Sequence, residues 1–179
     1  MEKCIVFAGF GGQGVLTSGL ILANIAMDDG KEVLWMPAYG GQMRGGKSYS
    51  LVKFDETPIC HPDIESLDCL VAMNRPSLES FSPFVKKDGL ILINSDTVED
   101  EVPFEKEGVT VMYVPFASLA KEADNPKGAN IASLGLLMKL TGLFSYEQTK
   151  EGLLKYFKEK GKDSYAAINV AALDKGFNY

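Results

Sequence analysis

CIVFAGFGGQGVL, residues 4–16, sets an apolar run of strand length directly against glycines at positions 9, 11 and 14. The spacing G-x-G-x-x-G, after a strand and before a helix, suits three physical needs: a tight turn, close approach of backbone to a phosphate, and close packing of the helix on the sheet. Residues 13–27 follow with only Thr17, Ser18 and Asn24 clearly polar, so they read as a helix apolar on nearly every side that stops before Asp28-Asp29-Gly30. Residues 31–37, with VLWM at their centre, give the next strand. Such a strand, helix, strand unit implies a parallel pair joined by a right-handed crossover.

Further along, residues 48–54 alternate as a half-buried strand does, with Tyr49, Leu51 and Lys53 on one side and Ser50, Val52 and Phe54 on the other. Residues 55–62 carry Pro58 and Pro62 and read as loop. Residues 70–73 form a buried-type strand, followed by Asn74 and Arg75 as candidate caps and Pro76 in the first turn of a helix. Two more strands fit residues 89–94 and 109–114. Beyond Pro115 the pattern turns helical: 116–123, 129–140 with Gly142 as C-cap, a helix from the Ser145 and Gln148 capping box to Lys160, and a last one capped by Asp163 or Ser164 and reaching Lys175. The expected fold is one α/β domain over residues 1–179, a three-layer α/β/α sandwich of Rossmann-like type, with a mostly parallel or mixed sheet and a helical C-terminal third.

Composition narrows the function. The chain of 179 residues is 46% hydrophobic and 23% charged, values of a soluble globular protein, and its net charge of -6 with no basic run argues against nucleic acid as a partner. There is no apolar run of transmembrane length and no secretory leader pattern at MEKCIVFAGF. Cys4, Cys60 and Cys69 show no pairing or C-x-x-C pattern, which fits a reducing, cytoplasmic setting with thiols acting as small hydrophobes. His61 is the only histidine, so neither a Ser-His-Asp triad nor a histidine-rich metal site is expected, and no G-x-x-x-x-G-K-[ST] loop occurs. Asp28-Asp29 and the group Asp96, Glu99, Asp100 and Glu101 read as solvated acidic turns. No general acid, general base or nucleophile stands out.

A second glycine cluster, YGGQMRGG at residues 39–46, sits at the end of the second strand. Ligands of open α/β sheets bind at the carboxyl ends of strands, so the two glycine loops are expected side by side there, with the guanidinium of Arg44 as a donor fork for an anion. A dinucleotide site would also want an acidic residue at the end of that strand; Met36, Pro37, Ala38 and Tyr39 occupy the place, and Glu32 lies at the wrong end. Three readings stay open on these residues: a phosphate-bearing ligand, an independent nucleotide-binding oxidoreductase, and a ligand-free interaction module whose glycines admit another chain's backbone. The apolar surplus of residues 13–27 and 131–140 is expected to be covered in part by another subunit.

GFGGQGV at 9–15, YGGQMRGG at 39–46, DCLVAMNRPSLESF at 68–81, GLILINS at 89–95 and NIASLGLLMKLTG at 130–142 together resemble the gamma subunit of the 2-oxoacid:ferredoxin oxidoreductases. The resemblance implies a complex that oxidatively decarboxylates a 2-oxoacid, passes two electrons to ferredoxin and makes an acyl-coenzyme A. It also implies that thiamine diphosphate, magnesium and the iron–sulfur clusters sit on companion subunits, that this chain alone is inactive, and that a dimer of heteromers is the candidate assembly. Carried onto this sequence, Gly9, Gly11, Gly12, Gln13 and Gly14, with Tyr39, Gly40, Arg44, Gly45 and Gly46, become the candidates for holding coenzyme A or contacting the thiamine-binding subunit. Gly41-Gln42 departs from the Pro-Glu of many relatives, and general likeness favours 2-oxoglutarate or a branched-chain 2-oxoacid over pyruvate.

Overall fold

The apolar run at the start becomes β1 (Lys3–Phe10), in which Ile5, Val6 and Ala8 are wholly buried. A strand buried on both faces must have neighbours on both sides and layers above and below. The computed structural model describes residues 1–40, 46–99 and 103–179, and the chain divides into two compact units, Met1–Val114 and Pro115–Tyr179.

The first unit is a six-stranded mixed sheet. After β1 come α1 (Val15–Asp28), β2 (Glu32–Tyr39), β3 (Lys47–Asp55), β4 (Leu67–Ala72), α2 (Arg75–Phe81), β5 (Val85–Asn94) and β6 (Thr110–Val114). The strand order is β2-β3-β1-β4-β5-β6; β1, β4, β5 and β6 run parallel, and β3 runs antiparallel to both β1 and β2. The expected parallel pairing of the first two strands is therefore corrected. β2 points the same way as β1, but β3 lies between them, matched from Lys3↔Phe54 to Phe10↔Lys47 on one side and from Glu32↔Asp55 to Tyr39↔Ser48 on the other.

Burial explains the order. β3 is not half-buried: Leu51 and Val52, on opposite faces, are both wholly enclosed, which only an interior strand allows. β2 is partly exposed along its whole length and contains Pro37, which has no N–H to give to a ladder, so it suits the edge.

Alternation along β3 assigns the two layers. Ser50 faces α1, where Gly19 approaches so closely that a methyl group there would lie 1.9 Å from Ser50 Oγ; that hydroxyl also accepts the Trp35 indole N–H at 2.7 Å. Tyr49, on the other face, meets Phe81 of α2 with ring centroids 5.0 Å apart, beside a core of Val6, Ala8, Leu51, Leu70, Leu78 and Ile91. Helix, sheet and helix make the three-layer α/β architecture within this unit.

The second unit contains α3 (Phe116–Glu122), α4 (Ala129–Thr141), α5 (Tyr146–Glu159) and α6 (Ala166–Phe177). α4 and α6 cross through glycine: a Cβ on Gly176 would lie 1.8 Å from the Ala132 carbonyl oxygen, and one on Gly135 2.3 Å from that of Leu173. Ser145 and Gln148 form both halves of the capping box that starts α5. The last helix starts later than its expected cap, because residues 163–165 form a 3₁₀ turn before Ala166.

Every residue from Asn130 to Met138 of α4 is buried in this one chain, as are Val15, Ser18, Gly19, Ile21, Leu22, Ala23, Ile25 and Ala26 of α1. Most of the apolar surplus of these helices is thus covered within the chain, while Leu16 and Leu20 stay partly exposed and Met27 and Leu140 are exposed. Among the described residues no helix is long and apolar enough to cross a membrane.

Candidate functional site

The carboxyl ends of β1, β2, β4, β5 and β6 share one rim of the sheet with the start of β3. At this rim the chain leaves β1 at Phe10 and enters α1 at Val15 through a turn that needs glycine at two places. Gly12 has φ 101° and Gly14 φ 74°, left-handed values that other residues adopt only at a cost. A side chain at Gly12 would meet nothing within 4 Å, so that glycine serves the backbone and its outer side faces open space.

Gly14 is also the N-cap of α1, so the helix has no side-chain cap, and its first turn carries no acidic residue. The amide hydrogens of Val15, Leu16 and Thr17, and the partial positive charge of the helix start, thus have no capping side chain of their own. They face a cleft of about 460 Å³ lined by Phe10, Gly11, Gly12, Gly14, Val15, Leu16, Thr17, Tyr39 and Ser48.

The second glycine cluster reaches the same place. Gly40 N–H donates to the Lys47 carbonyl at 2.9 Å, and Gly11 N–H donates to the Gly46 carbonyl at 3.0 Å. The two glycine loops therefore meet, as expected, at least through Gly11 and Gly46. Tyr39, 68% exposed, stands between the first cleft and a second of about 300 Å³ toward α2, whose walls include Lys47, Tyr49, Ser77 and Phe81. Arg44 and Gly45, with residues 41–43, lie outside the described residues. Lys47, Ser48 and Thr17 join the clefts without having been singled out from sequence; Ser48 reaches this rim only because β3 starts there opposite Gly9.

Behind the turn lies a polar network. Gln13 folds inward: its Oε1 accepts the Phe10 N–H at 2.7 Å and the Asn74 amide N–H at 3.0 Å, and its Nε2 donates to the Met73 carbonyl at 3.0 Å. Met73 N–H in turn donates to the Ala8 carbonyl at 2.8 Å, and its carbonyl also accepts the Thr97 hydroxyl at 2.7 Å. Asn74 caps α2 by accepting the Ser77 N–H at 2.9 Å. Gly9 makes room for this arrangement, since a Cβ there would lie 2.7 Å from Gln13 Oε1 and 3.1 Å from Met73 Cβ and Val15 Cγ1. The first glycine of the motif thus admits the protein's own carboxamide, not a ligand.

The dinucleotide reading loses its geometry. Beside β1, on the side of α1, the adjoining strand is β3, which begins at the rim instead of ending there, and the strand end that lines the cleft, Tyr39 of β2, carries no carboxylate for a ribose. The cysteines are dispersed. Cys4 and Cys69 project to opposite faces of adjacent strands, because Cys69 is matched with Ile5, and Cys60 is exposed. Burial pushes the Cys4 thiol up to about 11 and that of Cys69 up to about 12, the reverse of what a thiolate ligand needs. Among the described residues no group of three or more His, Cys, Asp or Glu side chains gathers to hold a metal.

Residues 4–179 match the family model of pyruvate ferredoxin/flavodoxin oxidoreductase. The chain is 37% identical over 180 residues to the ketoisovalerate oxidoreductase subunit VorA of Methanothermobacter marburgensis, covering 99% of this chain but 36% of that relative. In other words, it spans about a third of the length of that relative. The gamma subunit of a keto/oxoacid ferredoxin oxidoreductase from Geobacter sulfurreducens PCA superposes with a TM-score of 0.81 at 29% identity, covering 98% of this chain and 96% of that one. The 2-oxoglutarate:ferredoxin oxidoreductase of Magnetococcus marinus, solved with 2-oxoglutarate, coenzyme A and succinyl-CoA bound, also superposes at 0.81, with 28% identity over 98% of this chain and 30% of that one.

Proposed function

This chain belongs to the pyruvate ferredoxin/flavodoxin oxidoreductase family, and we propose that it is the gamma-type part of a 2-oxoacid:ferredoxin oxidoreductase complex in the cytoplasm, its two units acting as one domain. The reaction of such a complex takes a 2-oxoacid, coenzyme A and oxidised ferredoxin to an acyl-coenzyme A, carbon dioxide and ferredoxin reduced by two electrons. The likeness to ketoisovalerate and 2-oxoglutarate enzymes supports a branched-chain 2-oxoacid or 2-oxoglutarate as substrate. Thiamine diphosphate, magnesium and iron–sulfur clusters belong, in this reading, to companion subunits, which also pass electrons to ferredoxin; a dimer of such heteromers is the assembly proposed.

The chain's own contribution is to hold coenzyme A by its phosphates. The observation that carries this is the start of α1, without a side-chain cap, opening into the cleft of about 460 Å³ that Gly11, Gly12 and Gly14 line. The backbone amides of Gly12 and of the first turn of α1 would donate to phosphate oxygens, in the field of the helix dipole. Tyr39 forms part of the wall and Gly40 follows it, and in this reading Arg44, with Gly45 beside it in sequence, would supply the cationic fork.

Calorimetric titration of the purified complex with coenzyme A tests it. Arg44→Ala should weaken binding about tenfold, as the loss of one charge-assisted pair does, and leave assembly intact. Unchanged affinity with impaired assembly would instead favour a ligand-free interaction module. A lone chain that turned over a 2-oxoacid would overturn the subunit reading.

A further inference from the structure

We propose that Gln13 is the positioning residue of this rim: its carboxamide, half-buried behind the glycine turn, sets the amides that face the cleft and locks them to the turn after β4. The proposal rests on the anion-binding reading of the cleft. Gln13 is part of the loop next to the cleft, yet its side chain does not line it. It spends one oxygen on two donors, Phe10 N–H and Asn74 Nδ2, and one N–H on the Met73 carbonyl.

These bonds join three segments of the rim. Phe10 N–H belongs to the turn itself; Asn74 begins α2; Met73 O is shared with Thr97, which follows β5 and also donates to the Asn94 carbonyl at 3.1 Å. Phe10 and Gln13 are bonded twice, since Gln13 N–H donates to the Phe10 carbonyl at 3.1 Å while Phe10 N–H donates to Gln13 Oε1. The turn is thereby held from inside, with Gly12 and the first residues of α1, Val15 to Thr17, on the wall of the cleft. Preorganised donors are stronger recognition elements than donors that must be ordered on binding.

Only a side chain that accepts and donates at once can do this. A carboxylate keeps the acceptor but has no N–H for Met73, and it sets negative charge against a carbonyl oxygen. A protonated carboxyl restores a donor through its O–H. The hydrogen-bond partners around Gln13 are all neutral: Phe10 N–H, the Asn74 amide and the Met73 carbonyl. The Phe10 and Asn74 donors favour a carboxylate there, whereas partial burial and the facing Met73 carbonyl favour the protonated carboxyl, which alone remakes the Met73 bond.

The experiment is Gln13→Glu in the full chain, read by hydrogen exchange and by coenzyme A titration at about pH 8 and about pH 5, each against wild type at the same pH. The expected result at high pH is a loss of about tenfold in protection of the Phe10 amide and in coenzyme A affinity, with β1 amides at Ile5 and Val6 unchanged; both losses recover at low pH. Asn74→Asp, which keeps the cap on Ser77 and removes the donor to Gln13, should move the same amide in the same direction. Wild-type protection in both variants at high pH overturns the proposal, and so does equal damage to Gln13→Glu at both pH values, which marks a steric defect. If protection follows the expected pattern but wild type binds no coenzyme A, the anion-binding reading fails while the role of Gln13 in holding the turn stands.

Discussion

Gly9 and Gly12 belong to one motif and are glycine for different reasons. Gly12 must be glycine for its φ of 101°, with open space around it. Gly9 has an ordinary strand conformation, paired with Ser48, and is glycine because Gln13 Oε1, Met73 and Val15 leave no place for a methyl group. Gly9→Ala should therefore displace a carboxamide held by three hydrogen bonds and lower stability by about 1–3 kcal/mol, read by urea unfolding. It should also loosen the cleft without touching any ligand. The sequence shows the spacing of these glycines but not the distinction, because Gln13 is turned back against Gly9 by its bonds to Met73 and Asn74, which strand pairing brings there.

At the scale of elements, the strands and helices with strong local signals are legible. β1, the buried β4 and β5, the Asn74 cap with Pro76 behind it, and the Ser145 capping box all occur where apolar runs and caps put them. The strand order is not legible in the same way. Nothing local tells β3 to enter between β1 and β2; that follows from burying both of its faces while Pro37 keeps β2 at the edge. The close crossing of α4 and α6 is equally nonlocal, since Gly135 and Gly176 take their meaning from each other's helices. Gly176→Ala would drive a methyl group into the Ala132 carbonyl, which is backbone and cannot rotate away, and should cost about 3 kcal/mol in chemical unfolding. Gly142→Ala, at a left-handed position with nothing nearby, should cost about 1 kcal/mol and serves as its control.

For the whole molecule, the sheet core carries a pH limit. The thiols of Cys4 and Cys69 ionise at about 9 when exposed but are raised to about 11 and about 12 by burial. Below about 9 both states hold the protons and the thiols leave stability unchanged. As pH rises from there to about 11 for Cys4 and about 12 for Cys69, the unfolded chain loses protons that the folded one keeps, so stability falls. Each thiol contributes a slope of at most about 1.4 kcal/mol per pH unit. Urea midpoints measured from about pH 8 to about pH 11 should drop in the native chain and drop less in Cys69→Ala, after correction for its lower starting stability. The rim site was partly readable at this scale too: the rule that ligands gather at strand carboxyl ends brings the two glycine loops together, whereas Ser48, Lys47 and the Gln13 network needed the tertiary pairing.

The hydrogen bonds from Gly40 to Lys47 and from Gly11 to Gly46 fix both feet of the span 41–45 to strands that the rest of the molecule already holds. The five positions between those anchors are a short stretch of sequence to exchange as a unit. Relatives could rewrite it to suit a different acid or a different companion surface while the sheet beneath stays untouched, and an engineer could transplant it between them on the same two anchors.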